Sequence, residues 1–157
     1  PIIFLAFGLG SGLSPKAPGT AGSALSLLFF PVLVALGLWG SIGLIVVASI
    51  FGVWLCGAAA DILKVHDHEA IVWDEFVGQW LTLLPLIPIA AWNLQTYSYL
   101  VLGFALFRLF DILKPWPISW CDKHLEGGFG IMFDDVLAGI AAGGLLWLII
   151  NNGWFAF

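Results

Sequence analysis

The chain reads FRLFDILKPWPISWCDK from Phe107 to Lys123, and this stretch places charged side chains at the end of an apolar segment. Arg108, Asp111 and Lys114 recur at intervals of three, a spacing that puts them on one face of a helix. The two prolines that follow predict the end of that helix, because the residue before a proline is pushed out of the α region. Arg108 is the only arginine in the protein. We therefore expect the end of this apolar helix to meet a charged group.

The composition around this stretch is typical of a membrane protein. Of the 157 residues, 61% are hydrophobic and only 10% are charged, and the mean hydropathy is +1.05. A soluble domain carries about 25% charged residues, so this chain cannot cover itself with polar surface. A net charge of −5 argues against a nucleic-acid-binding protein. The length predicts a single domain, residues 1–157, and because the chain begins at Pro1 we expect a leading segment before it.

Apolar runs divide the chain into about five predicted transmembrane helices, so the predicted fold is an all-α, polytopic membrane helix bundle. These helices are Ala24–Leu38, Ile42–Ala60, Ile71–Trp92, Tyr97–Leu113 and Phe133–Ile150, with a turn at Trp39–Ser41 between the first two. The first is short for a span and must recruit residues from about Gly19 onward. Pro85 and Pro88 predict a kink or break in the third. On the fifth, Gly139 and Gly143 form a small-residue face suited to close helix packing.

A glycine-rich loop, GLGSGLSPKAPGTAGS, is predicted from Gly8 to Ser23. Thr20 or Ser23 could cap the helix that follows. The backbone N–H groups of the loop could bind an anion beside the N-terminus of that helix. On composition alone, a plain turn-rich entry segment explains the same residues equally well.

All five basic and ten acidic side chains fall on one side of the membrane in this topology. The loops at residues 8–20, 61–70 and 114–132, with the helix ends beside them, carry every charge. The turn at 39–41, the link at 93–96 and the tail after Ile150 carry none. Because lysine and arginine concentrate on the cytoplasmic side, the charged side is predicted to be cytoplasmic, with the N-terminus inside and the C-terminus outside.

Five acidic residues lie near the cytoplasmic ends of three predicted helices: Asp74, Glu75, Asp111, Asp134 and Asp135. Acids in the first turn of a helix face its dipole favourably, and an acid at the boundary can simply be solvated. Five carboxylates at one depth would nevertheless repel one another. A hard divalent cation such as Mg²⁺ compensates them and keeps water ligands for a phosphate substrate. Neighbouring residues point about 100° apart on a helix, so one acid of each adjacent pair could bind metal while the other supports it.

The tripeptide His66-Asp67-His68 is a further candidate for metal binding or proton transfer. It lies in a polar loop, where solvated histidines are common, so the second interpretation is a solvated turn. Tryptophans near the helix ends are typical of an aromatic belt, although Trp73, Trp80, Trp116 and Trp120 could also contact lipid.

Three long motifs resemble those of the bacterial phosphatidylglycerophosphatase A family: GLSPKAPGTAGS, HDHEAIVWDEFVGQW and FRLFDILKPWPISWCDKHLEGGFGIMFDDVLAG. The resemblance runs from about Gly8 to Gly139. It implies a Mg²⁺-dependent lipid phosphatase of the bacterial inner membrane, which removes the terminal phosphate of phosphatidylglycerophosphate to give phosphatidylglycerol. The family motifs fall on the five acids already named, on Arg108 and Lys114, and also on Ser14, Pro15, Pro18, Gly19, Thr20 and Asp67.

The resulting hypothesis is metal-assisted phosphoryl transfer from a phospholipid in the cytoplasmic leaflet. All five acids are candidate ligands for one or two Mg²⁺, and Asp74, Asp111, Asp134 and Arg108 are the candidate catalytic residues. The predicted substrate contacts are Ser14, Thr20, Asp67, Arg108 and Lys114. Attack by water activated at the metal and formation of a phosphoryl-enzyme on Asp111 both remain open.

Other functions fit the sequence less well. The Asp-x-Asp-x-Thr motif of haloacid-type phosphatases is absent, and a single arginine excludes lipid phosphatases that need two. The non-enzyme alternative is a divalent-cation transporter that uses the same acids. A transporter should place some of them at the bilayer midplane and on both sides, whereas here all are predicted at one level.

Overall fold

A computed structural model describes residues 1–65 and 68–154, and every regular element in these ranges is a helix. The α-helices are α1 (Ile2–Ala6), α2 (Pro18–Ser26), α3 (Phe30–Leu63), α4 (Trp73–Leu83), α5 (Leu94–Leu113), α6 (Ile118–His124) and α7 (Gly127–Asn151). Short 3-10 segments occupy Gly8–Leu13, Leu27–Phe29 and Leu84–Ile89. Three helical stretches are long and apolar enough to cross a membrane: Pro18–Leu63, Leu94–Leu113 and Gly127–Asn151.

The longest of these stretches, at 46 residues, reverses direction at Gly37. Gly37 has φ +67°, a backbone conformation that favours glycine. The hydroxyl of Ser41 donates to the carbonyl of Leu33 at 2.8 Å, although residues eight apart in a continuous α-helix are separated by about 12 Å. The stretch therefore consists of two helical arms, residues 18–36 and 38–63. The predicted turn at Trp39–Ser41 is wrong in position, because the chain bends at Gly37 and is helical again by residue 39.

The predicted glycine-rich loop is shorter than expected. A 3-10 segment follows Gly8, and Leu9 and Gly10 have positive φ values of 58° and 97°. Helix α2 then begins at Pro18, whose fixed φ suits the first helical position. Residues 18–23 are therefore helical, which supplies the extra length that the first span required. Neither Thr20 nor Ser23 caps α2, and the hydroxyl of Ser23 donates to the carbonyl of Gly19 inside the helix.

Helices α4 and α7 share the most extensive contact between helices in the described ranges. A Cβ added to Gly78 would lie 2.7 Å from the carbonyl oxygen of Asp135, and one added to Gly139 would lie 3.0 Å from the Cα of Gly78. The hydroxyl of Thr82 lies 3.0 Å from the carbonyl oxygen of Gly78 and 3.3 Å from that of Gly139. The predicted small-residue face of α7 is confirmed, and α7 also packs against α3, α5 and α6.

The prolines act as predicted at the far end of α4. The α-helix ends at Leu83 and continues as the 3-10 segment Leu84–Ile89, which contains Pro85 and Pro88.

Two features depart from the prediction. Helix α7 begins at Gly127, six residues before the predicted start, and a short helix, α6, lies inside the predicted polar connection.

Candidate active site

A cavity of about 390 Å³ opens where α2, α4 and α7 begin and α5 ends. Its charged lining comes from α4, α5, α6 and α7 and from the residues just before α4 and just after α5, whereas α2 contributes uncharged residues. The charged residues of the lining are Glu69, Asp74, Glu75, Arg108, Asp111, Lys114, Asp122, Asp134 and Asp135. The cavity therefore gathers all five of the predicted acidic ligands and both predicted cations at one end of the bundle.

Local sequence explains part of this arrangement. Asp74 and Glu75 lie in the first turn of α4, where the helix dipole favours negative charge. Asp134 and Asp135 do not open α7 as predicted, because that helix starts at Gly127. They lie about two turns inside it and are only 6% and 3% exposed. The dipole of α7 therefore does not explain why two acids are buried there, and a counter-charge is needed.

Three of the acids form a candidate cation site. Asp74, Glu75 and Asp135 each offer a carboxylate oxygen, and these oxygens lie within 4.8 Å of one another. Within the described ranges, Glu75 Oε2 and Asp135 Oδ2 are buried and accept no hydrogen bond. Asp111 lines the same cavity beside these three acids. Buried carboxylates this close together require a proton or a cation between them. An all-oxygen donor set of this kind fits Mg²⁺.

Arg108 joins three helices at the edge of this acidic group. Its Nη1 lies 2.7 Å from Asp111 Oδ2 and 3.8 Å from Glu75 Oε1. The same nitrogen lies 3.4 Å from the hydroxyl of Ser23 in α2. The i, i+3 spacing predicted from the sequence thus produces the pair Arg108–Asp111. The guanidinium remains close enough to the cavity to line it.

Lys114 makes a second link, between α5, α6 and α7. Its Nζ lies 2.5 Å from Asp122 Oδ1 and 2.6 Å from Asp134 Oδ2. Partial burial lowers the pKa of Lys114, but the hydrogen bonds to these two carboxylates outweigh it and raise the pKa above its usual value. The ammonium therefore stays charged at neutral pH. Asp134 therefore forms an ion pair with Lys114 and does not belong to the candidate cation site of Asp74, Glu75 and Asp135.

The N-terminus of α2 forms another wall of the cavity, through Ala17, Pro18 and Gly19. The first N–H groups of a helix lack partners inside it, so they can bind an anion. A Cβ at Gly19 would overlap Glu75 Oε1 and lie 3.1 Å from Arg108 Nη1. Ser14 and Thr20 do not line the cavity, and the hydroxyl of Ser14 donates to the carbonyl of Lys16. The predicted loop thus contributes its backbone to the cavity more than its hydroxyl groups.

Comparison with known proteins agrees with this geometry. The family model of phosphatidylglycerophosphatase A matches residues 4–150. The chain belongs to the phosphatidylglycerophosphatase A family. Among curated relatives, the Escherichia coli protein "Phosphatidylglycerophosphatase A" is 45% identical over 150 residues, covering 95% of this chain and 83% of the relative. The Haemophilus influenzae protein of the same name is 49% identical over 144 residues, covering 90% and 84%.

A third relative carries a different name. A Bacteroides thetaiotaomicron protein, provisionally named a phosphatidylinositol-3-phosphatase, is 38% identical over 146 residues, covering 88% of this chain and 86% of its own. All three names specify phosphatases of lipid headgroups. No solved structure matches the chain significantly.

Of the predicted tripeptide His66-Asp67-His68 in this phosphatidylglycerophosphatase A family member, the structure describes only His68. His66 and Asp67 lie outside the described residues. His68 Nδ1 accepts a hydrogen bond from the N–H of Ala70 at 3.1 Å, and its ring stacks on Phe7 with centroids 6.0 Å apart. His68 therefore stabilises the turn, while its neighbour Glu69 reaches the cavity.

The sequence predictions assign no role in the site to three polar residues of this family member: Glu69, Gln79 and Asp122. Asp122 could have been found only by predicting α6, which brings it onto Lys114. Gln79 carried a clearer signal, since it lies four residues after Glu75 and so on the same face of α4. It is fully buried, although the sequence alone gives no reason for an amide at that depth.

Proposed function

We propose that this protein hydrolyses phosphatidylglycerophosphate to phosphatidylglycerol and phosphate within a bacterial membrane. One observation carries the proposal: seven carboxylates, an arginine and a lysine line a single cavity at one end of an apolar helix bundle. An enzyme that hydrolyses a lipid phosphate monoester needs positive charge to bind the phosphate oxygens. It also needs acidic groups that hold a metal ion or accept a proton. Membership of the phosphatidylglycerophosphatase A family supports this choice of substrate.

The phosphate group of the substrate would bind between Arg108, Lys114 and the N-terminus of α2. These groups surround one cavity and all favour negative charge. As charge spreads over the phosphoryl oxygens in the transition state, the guanidinium and ammonium stabilise it. Arg108 is already fixed by Asp111 and Glu75, so little reorganisation is required when the substrate binds.

Asp74, Glu75 and Asp135 are the residues that would hold Mg²⁺, with Asp111 beside them. When bound, the ion neutralises these acids and polarises the phosphate. The carboxylate of Asp111, oriented by Arg108, has two possible roles. It can accept a proton from the attacking water. Alternatively, it can attack phosphorus itself, which breaks the bond to the lipid oxygen and releases phosphatidylglycerol as the protonated alcohol, and water then hydrolyses the resulting acyl phosphate to free phosphate. Acid quenching with radiolabelled substrate separates these routes, because only the second leaves labelled protein.

The proposed membrane arrangement has five spans, with the cavity on the cytoplasmic side of the inner membrane. The arms 18–36 and 38–63, the segment 73–89, α5 and α7 each contain about the number of residues that a span requires. The cavity then lies at the end of the bundle that carries all of the charge. A substrate in the cytoplasmic leaflet would present its headgroup at this depth.

Phosphate release from phosphatidylglycerophosphate by the purified protein in liposomes tests the function. We expect the Asp111→Asn and Asp134→Asn variants to fold in detergent and to lose about 100-fold or more of this activity. The matched control is Asp61→Asn, since Asp61 is an exposed acid at the end of α3. Full activity in either site variant would remove that acid from the site.

The same liposomes test the cofactor and the alternatives. EDTA should abolish phosphate release and Mg²⁺ should restore it. Movement of Mg²⁺ across the membrane without phosphate release would instead favour the transporter. Faster hydrolysis of phosphatidylinositol 3-phosphate than of phosphatidylglycerophosphate would transfer the proposal to that lipid.

A further inference from the structure

Gln79 is a fully buried polar residue that does not line the cavity. Its side chain in α4 is 0% exposed, and neither Oε1 nor Nε2 has a hydrogen-bond partner among the residues that the structure describes. An amide buried without partners is unfavourable, and most buried polar groups are hydrogen-bonded. Gln79 does not line the cavity, so substrate does not contact it directly. Its partners must be sought in the protein beneath the site.

The packing of α4 against α5 places Gln79 near Arg108. A Cβ at Gly78 would meet the ring of Phe107, and one at Gly103 would lie 3.0 Å from Leu83. These two contacts show that the helices run antiparallel. Gln79 follows Gly78 and Arg108 follows Phe107, so this register sets the two residues within about one helical turn of each other. Arg108 Nη1 lies 3.8 Å from Glu75 Oε1, so the guanidinium reaches the turn of α4 that directly precedes Gln79.

The same side of Gln79 also faces Glu75. The two residues are four apart in α4, a spacing that brings their side chains onto one face of the helix. Arg108 Nε and Glu75 Oε2 are both buried, and neither has a hydrogen-bond partner among the described residues. One is a donor and the other an acceptor. A glutamine amide offers the complement to each, because Oε1 accepts and Nε2 donates.

We propose that Gln79 is a positioning residue that links Arg108 Nε to Glu75 Oε2 from beneath the cavity through bridging water. Its Oε1 accepts on the side of the guanidinium and its Nε2 donates on the side of the carboxylate. The link orients the guanidinium toward phosphate and turns Glu75 toward Asp74 and Asp135. This inference rests on the proposed phosphatase function for its catalytic consequence but not for the link itself.

A double-mutant cycle of Gln79→Met with Arg108→Lys tests the link, because lysine has no equivalent of the arginine Nε–H. Gln79→Met keeps the length of the side chain and removes both polar atoms. We expect a 10–100-fold loss of kcat/KM, the range found for residues that orient a catalytic group. In the Arg108→Lys background the same change should cost at least threefold less. The shifts in Tm should also fail to add, because both substitutions break one hydrogen bond.

Two further variants keep the test decisive. If Gln79→Met does not fold, Gln79→Asn takes its place in the test. It retains the amide but shortens the side chain by one methylene, so the protein should fold and still lose activity. Thr82→Val is the control, since Thr82 is another fully buried polar residue of α4 that does not line the cavity. Its activity should stay within twofold of wild type, and its Tm shift should add to that of Arg108→Lys.

Several results would overturn the inference. Full activity in Gln79→Met would do so, as would equal losses in both backgrounds or additive Tm shifts. If the wild-type protein releases no phosphate, the proposed function fails, and the Tm cycle alone then decides whether Gln79 and Arg108 are linked.

Discussion

Gly19 shows how closely the parts of the site depend on one another. It is the second residue of α2, and its backbone lies directly against the Arg108–Glu75 pair. A larger residue would hold α2 away from α5 and open a gap between the helix N-terminus and the guanidinium. The close approach therefore places N–H groups and a cation around the same space. This approach is possible because Gly19 has no side chain.

We predict that Gly19→Ala lowers kcat/KM by about 100-fold, the scale on which the loss of an oriented donor reduces activity. The added Cβ would overlap Glu75 Oε1, so either Glu75 or α2 must move. Phosphate release from phosphatidylglycerophosphate measures the effect. Gly43→Ala provides the control, because a Cβ there would meet no atom within 4 Å. Equal activity of the two variants would contradict the proposed role of this contact.

The sequence predicts the charged residues of the site other than Glu69 and Asp122, but it does not predict which of them form pairs. Arg108 and Asp111 are neighbours on one helix, so their ion pair follows from spacing. The sequence leaves open which of Asp134 and Asp135 would bind metal and which would support it, and in the structure Lys114 pairs with Asp134. That choice depends on the angle at which α5 meets α7, which no local pattern encodes.

At the scale of the helix, glycines serve two purposes that look alike in a sequence. The run EGGFG at residues 126–130 has the composition of a turn, and its composition predicts a connection. In the structure α7 begins within this run, at Gly127, and a Cβ at Gly128 would lie 2.6 Å from the backbone nitrogen of Gly57 in α3. Close packing of two helices, and not a turn, requires this glycine. The early start of α7 could therefore not be predicted without its neighbour.

Packing between α4 and α7 leads to a stability prediction. Gly139→Leu should lower the Tm of the detergent-solubilised protein strongly, because its side chain would collide with the backbone of α4 at Gly78. Overpacking in a tight interior commonly costs about 1–3 kcal/mol. Gly144→Leu is the matched control on the same helix, since a Cβ at Gly144 meets nothing within 4 Å. A comparable Tm for the two variants would show that the contact is not tight in solution.

Over the whole molecule, charge divides the protein into two unlike ends. The described cavity lies at the charged end, and the link at residues 93–96 belongs to the uncharged one. Hydropathy and charge were enough to predict the helical class and which loops meet. They could not give the exact bend at Gly37, because its conformation depends on the hydrogen bond between Ser41 and Leu33.

The five-span arrangement predicts which residues face the cytoplasm. In a background without Cys56 and Cys121, a cysteine introduced at Lys123 should react with an impermeant maleimide only in inside-out vesicles. A cysteine at Asn152 should react only in right-side-out vesicles. Both positions are exposed, so burial does not decide the result. Labelling of both sites from one side would exclude an odd number of spans between them.

The reversal at Gly37 also bears on how the chain enters a bilayer. Residues 18–60 contain no lysine, arginine, histidine, aspartate or glutamate. Moving a charged side chain through hydrocarbon costs about 2.5–3.5 kcal/mol at the centre, and the tip of this hairpin carries none. At the bend, the Ser41 hydroxyl donates a hydrogen bond to the Leu33 carbonyl, so that carbonyl needs no water partner inside the bilayer. In the proposed five-span arrangement, the two arms would therefore insert together as one uncharged, apolar hairpin.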